Sequence, residues 1–157
     1  MALSHSLARA ADSLRPLVLL LLRVVVGAAF VHAGIDKFSD LAKVTKGFEE
    51  LKIPMASVLG PFVATVETAG GAALILGLWG RFAALMLSGV MVVALATAHK
   101  TQLADALKTW VTPVTIVAFA FLLDLLVIIA FGPGRFSVDH VRSSRRSSPP
   151  PPPLPPR

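Results

Sequence analysis

Three ionisable residues stand inside apolar runs, where charge is costly: Arg23, Glu67 and Asp124. Arg23 has seven apolar residues before it, from Pro16, and eight after it, to Val31. A charged side chain in such a run must face a partner, a water-filled cavity or a ligand. Arginine suits a bidentate bond to a buried carboxylate. Two carboxyls beside one guanidinium leave an acid able to hold a proton, which is what a proton-coupled or quinone-binding site would use. The alternative is that such a cluster only sets helix register, since a buried ion pair alone is weak evidence of a site.

The elements that position these residues read as membrane spans. Apolar runs with few charges cover residues 16–34, 57–78, 82–98 and 110–131. Pro16 suits the first turn of the first span. Short turns join the second span to the third and the third to the fourth, which predicts an up-down-up-down bundle. The fold class is therefore all-α: an integral membrane four-helix bundle with a short interfacial helix between the first two spans. That short helix is marked by Leu41, Val44, Phe48 and Leu51 at helical spacing and is stopped by Pro54. A helix that caps the bundle without touching lipid is its alternative.

At 1.5 Å per residue, Arg23 and Asp124 lie roughly 10 Å in from one end of their spans, and Glu67 roughly 16 Å in. Gly27 and Gly34 fall on the stripe of Arg23, and Gly70 and Gly71 follow Glu67 by three and four residues. Small residues let helices approach closely in a membrane. An intramembrane polar cluster of Arg23, Glu67 and Asp124 is the expectation.

Composition supports the membrane reading. Of 157 residues, 55% are hydrophobic, and the mean hydropathy is +0.74. The net charge of +6 lies in loops and tails, which sets topology and argues against nucleic acid as a partner. The arginines outside the spans collect on one side and the lysines on the other, which places both termini in the cytoplasm. There is no cysteine, which excludes disulfides, iron–sulfur ligation, covalent c-type haem and thiol chemistry within this chain. A cleaved signal over residues 1–33 is disfavoured because Arg23 interrupts the apolar run. The chain divides into a cytoplasmic leader, residues 1–15, a membrane domain, residues 16–140, and a disordered Ser/Arg/Pro-rich tail, residues 141–157.

His32 and His99 end spans on the side opposite the leader and form a possible outer-side pair. Bis-histidine haem is the sharp reading of that pair, and ordinary interfacial histidine the plain one. No metal site is expected from two nitrogen ligands. No nucleotide loop or nucleophile triad is present, and Gly70-Gly71 follows no strand.

Arg23, Gly27 and then Gly34-Ile35-Asp36-Lys37-Phe38 resemble the opening pattern of the DoxX family. Phe48 and Ile53-Pro54 fit the loop that follows in that family. Glu67 with Gly70 and Gly71, then Leu76-Gly77-Leu78 and Arg81, resemble its second span. Gly132-Pro133-Gly134-Arg135, with Ser137 and Asp139, resemble its close. The resemblance covers roughly residues 17–140 and implies a four-span protein of the bacterial inner membrane. It further implies association with quinone-linked oxidoreductases or with oxidant defence, without fixing a reaction or catalytic residues. The pattern positions carried over are Arg23, Lys37, Glu67 and Asp139; the proline tail departs from the family.

The expected function is an accessory subunit of such a redox system. Quinone is the possible cofactor, and the partners are the lipid bilayer and a membrane redox protein with which the chain would exchange electrons. The alternative is a non-enzymatic scaffold or small transporter in which the Arg/Glu/Asp cluster is structural.

Overall fold

Runs of good helix formers, separated by proline, glycine and polar turns, become helices. In a computed structural model of the protein, residues 2–101, 104, 117–134 and 137–139 are described, with side chains from residue 14. The elements are α1 (Ala2–Ser39), α2 (Leu41–Glu50), α3 (Ala56–Leu76), α4 (Gly80–Ala96) and α5 (Val117–Phe131). No strand occurs among the described residues. The fold is the helical membrane bundle the sequence predicts. The stretches Leu14–Ser39 and Ala56–Leu76 are long and apolar enough to cross a membrane, while α4 and α5 are shorter apolar helices among the described residues.

Two boundaries differ from expectation. Helix α1 does not start at Pro16 but passes through it, and it does not break at Gly34 but runs on to Ser39. Pro16 is tolerated inside the helix, where it removes one ladder hydrogen bond. Gly34 supplies a close approach to α3 rather than a stop. The expected loop therefore shrinks to the junction at Asp40, whose carboxylate caps α2 by accepting from the Lys43 N–H at 3.0 Å. The proline-rich tail, residues 141–157, lies outside the described residues.

Helices α1 and α3 pack most closely, and their glycines explain why. A Cβ at Gly27 would stand 2.7 Å from the Gly71 carbonyl, and one at Gly71 would stand 2.6 Å from the Gly27 carbonyl. Two turns on, a Cβ at Gly34 would meet the Thr68 N–H at 2.7 Å and the Ala64 carbonyl at 2.8 Å. The backbones touch at both levels, which fixes the antiparallel register. Helix α2 lies on the start of α3, where Val44 and Thr45 stand 3.5 Å from the place of a Gly60 Cβ. No residue of α2 is buried.

The core is Val26, Phe30, Leu74, Leu87, Leu125 and Ile128, with the Phe30 and Phe121 rings 5.4 Å apart. The outside is also apolar: Val25, Val58, Phe62, Leu85 and Leu126 are exposed on four different helices. A helix apolar on all faces belongs in lipid, because water would charge about 25 cal/mol for each Å² of that surface. The described bundle has two ends. One carries the last turns of α3 and α5 with Arg23; the other carries Lys37, α2 and the end of α4.

Candidate functional site

Glu67 is buried, at 3% exposure. An unpartnered carboxylate there would be costly to hold in the bundle. Its partner is Lys37, whose Nζ stands 2.5 Å from Glu67 Oε2. The glycine register makes this pair. Side chains lean toward the N-terminus of their own helix. In antiparallel α1 and α3, Lys37 leans back toward the level of Gly34, and Glu67 leans toward Ala64, which touches Gly34. The two side chains therefore converge across the α1–α3 seam. Lys37 keeps 27% of its side chain exposed, so the pair joins the buried carboxylate to a wetter edge.

The pair forms part of the wall of a cavity of about 760 Å³. Such a volume is ordinary for a small-molecule site. Its lining is largely apolar, with phenylalanines from four elements: Phe30, Phe48, Phe62 and Phe121. The polar groups on it are Lys37 and Glu67 with Thr97 and His99. One ammonium and one carboxylate on a mostly apolar wall can hold the hydrogen-bonding head of a lipophilic molecule. Among the described residues, no group of three His, Asp or Glu can hold a metal ion.

Arg23 is elsewhere. It is 2% exposed, and its Nη1 donates to the Pro133 carbonyl at 2.6 Å. Gly77, in the left-handed region at φ 67°, leaves room for it: a Cβ there would stand 2.5 Å from Arg23 Nη1 and 2.6 Å from Ser137 Cβ. Asp139 supplies the nearby negative charge. Its carboxylate also accepts from the backbone N–H groups of Trp79 and Gly80, both at 3.0 Å, and so caps α4 from about sixty residues away. The Asp139 N–H donates to the Gly77 carbonyl at 3.1 Å. Ser137 Oγ donates to the Gly134 carbonyl at 2.7 Å, and the Arg15 guanidinium lies 4.9 Å over the Phe131 ring. These contacts tie α1, the α3–α4 turn and the end of α5 into one clasp.

The expected cluster of Arg23, Glu67 and Asp124 does not form. The glycine contacts set Arg23 level with Gly77, ten residues of α3 away from Glu67, which is roughly 15 Å. Counting depth from the ends of the apolar runs misplaced Arg23, because α1 extends beyond both ends of its run. Asp124 is half-buried on α5 and has no ion-pair partner among the described residues. The two histidines also separate. His32 Nδ1 pairs with Asp36 Oδ2 at 2.9 Å on a side chain 79% exposed, while His99 lines the cavity and His32 does not.

Of the pattern positions, Gly27, Gly34 and Gly71 make the α1–α3 seam, and Gly70 packs on Leu87 of α4. Lys37 enters the cavity site; Pro133 and Asp139 enter the clasp. Gly132 and Gly134 have positive φ in the turn after α5, and Arg81 Nη2 lies 3.5 Å from the Ala130 carbonyl beside it. Lys37 as the partner of Glu67 was missed from sequence. The signal was present: an antiparallel crossing at Gly27 and Gly71 brings those two residues together. The phenylalanine walls carried no such signal, because they come from four separate elements.

The DoxX family profile matches residues 18–100. The chain is also 32% identical over 131 residues to "Uncharacterized membrane protein Rv3486" of Mycobacterium tuberculosis (strain ATCC 25618 / H37Rv), covering 79% of this chain and 80% of that protein. No solved structure matches. The profile spans the glycine seam, the Lys37–Glu67 pair and most of the cavity wall, and the relative extends the likeness over most of the chain. The protein belongs to the DoxX family of membrane proteins.

Proposed function

We propose that this protein is an accessory membrane subunit of a quinone-linked or oxidant-defence redox system, and that its cavity holds the quinone. The observation that carries this reading is the Lys37–Glu67 pair on the wall of the 760 Å³ cavity. The residues fit a quinone head: one ammonium donor, one carboxyl that accepts or returns a proton, and phenyl rings on the wall beside them. A bound quinone supplies reversible two-electron, two-proton chemistry. Lys37 would orient a ring carbonyl by donating to it, and the Glu67 carboxylate would take up or return the proton that oxidation or reduction of the ring requires. The chain encodes no thiol or cluster ligand set, so a partner protein is the electron donor or acceptor.

The same reading places the protein in a bacterial inner membrane with both termini in the cytoplasm. Arg15 and Arg81 lie at the clasp end, and Lys43, Lys46 and Lys52 at the cavity end. The site then faces the outer half of the bilayer. Because the chain lacks cysteine, single cysteines introduced at positions 46 and 81 report this by membrane-impermeant labelling in whole cells, and only position 46 should react.

The function is tested on protein purified in mild detergent. Its extracted lipid is assayed for quinone by mass spectrometry, and a reduced-minus-oxidised spectrum is taken on the same sample. Quinone near one per chain, lost in Glu67→Gln and in Lys37→Met, is the expected result. A folded wild-type protein without quinone, which also fails to take up added quinone, overturns the reading.

A further inference from the structure

The cavity has a mouth as well as a polar wall. Phe62 on α3 and Leu85, Met86 and Val93 on α4 all line it, yet each is exposed, from 40% to 58%. They form a rim on the apolar outer surface of the bundle. Phe48 of α2 and Leu51, just after it, line the cavity together with Lys37. Helix α4 turns one face, Leu87, onto Gly70 of α3, and a different face, Leu85, Gly89 and Val93, onto the mouth. These three recur every four residues, so they form one stripe.

Gly89 is the unusual member of that stripe. A Cβ added there would meet nothing within 4 Å, unlike one at Gly27, Gly34 or Gly71. Close packing therefore does not require glycine at this position. In the interior of a helix, glycine is destabilising relative to alanine. Its effect here is to leave the middle of the mouth without a side chain. At the polar wall the charges of Lys37 and Glu67 cancel, so a charged ligand head would enter uncompensated. The remaining surface suits one apolar chain and a ring-sized body.

We infer that the cavity is filled sideways from the bilayer, through an opening between α3 and α4 that Gly89 keeps clear, by a single-chain amphiphile whose uncharged head lies against Lys37 and Glu67. This rests on the reading of the cavity as a ligand site and adds its entrance and the class of its occupant. A lipid quinone and a neutral single-chain lipid share that chemistry, and the test separates them.

The full chain in lipid nanodiscs is titrated with radiolabelled decyl-benzoquinone and, separately, with a diazirine-bearing monoacylglycerol whose crosslinks are mapped by mass spectrometry. Gly89→Leu fills the mouth. Gly47→Leu is the matched control, since Gly47 is also helical with nothing within 4 Å of an added Cβ and does not line the cavity. Both variants must keep the wild-type melting temperature; Met86→Trp narrows the same rim if Gly89→Leu does not. The expected result is binding weakened about tenfold or more by Gly89→Leu and unchanged by Gly47→Leu. Equal binding of decyl-benzoquinone to wild type and Gly89→Leu overturns the entrance and leaves the quinone reading standing. Binding of the monoacylglycerol alone, still blocked by Gly89→Leu, overturns quinone and keeps the entrance. Binding of neither probe to wild type overturns both.

Discussion

The two ends of this bundle each set a buried ionisable group beside one of opposite charge, and they use the pairing differently. At the clasp end, Arg23 is enclosed by Gly77, Ser137 and the Pro133 carbonyl, and Asp139 spends its oxygens on the first turn of α4. At the other end, Glu67 is as deeply buried as Arg23, but its pair with Lys37 lines open volume. Ionisable residues of similar burial thus become a structural tie in one place and a candidate site in the other. Free space beside the pair makes the difference, and burial or charge alone does not reveal it.

That contrast can be broken first at the clasp. Arg23→Ala removes a guanidinium, leaves a void and strips the Pro133 carbonyl of its donor. It should cost about 3 kcal/mol, read as a lower melting temperature in detergent. Quinone binding per folded molecule should be unchanged. A loss of binding with normal stability would show that the two ends are not separate in role.

At the cavity the order of effects reverses. Lys37→Met alone leaves a buried carboxylate and should cost about 2 kcal/mol, less than the clasp variant because the open volume beside Glu67 relieves part of the burden. The double variant Lys37→Met/Glu67→Leu removes both charges and should return stability to within about 1 kcal/mol of wild type, while binding stays lost. Unfolding and quinone titration of the same preparations check this. Recovery of binding in the double variant would reduce the pair to scaffold.

The smallest effect sharpens the clasp. Asp139→Asn keeps an acceptor for only one of the Trp79 and Gly80 N–H groups, and it loses the charge that favours the helix start and Arg23. A loss of about 1 kcal/mol is expected, seen as a small fall in melting temperature with binding intact.

Much of this was legible in the residues. Apolar runs interrupted by turn residues gave the helices, and the run of Gly27, Gly34, Gly70 and Gly71 marked the surfaces that meet. The cost of charge in lipid singled out Arg23 and Glu67 before any coordinates. What failed was the step from depth to partnership. Depth was measured from the ends of apolar runs, whereas α1 ignores those ends and continues through Pro16 and Gly34. Asp124 was drawn into the cluster by the same count, although it pairs with neither Arg23 nor Glu67.

Sequence by itself determined that the chain is helical and membrane-embedded, because hydropathy and helix period are local properties that each segment carries alone. It also determined that certain buried charges must be compensated. Which charge meets which was decided only by the tertiary structure. Backbone contact at two glycine levels sets the α1–α3 register, and a shift of one turn would exchange every partner along the seam. The cavity is likewise a tertiary fact: an empty space has no residue of its own, and its walls, Phe30, Phe48, Phe62 and Phe121 among them, are brought round it from four separate elements.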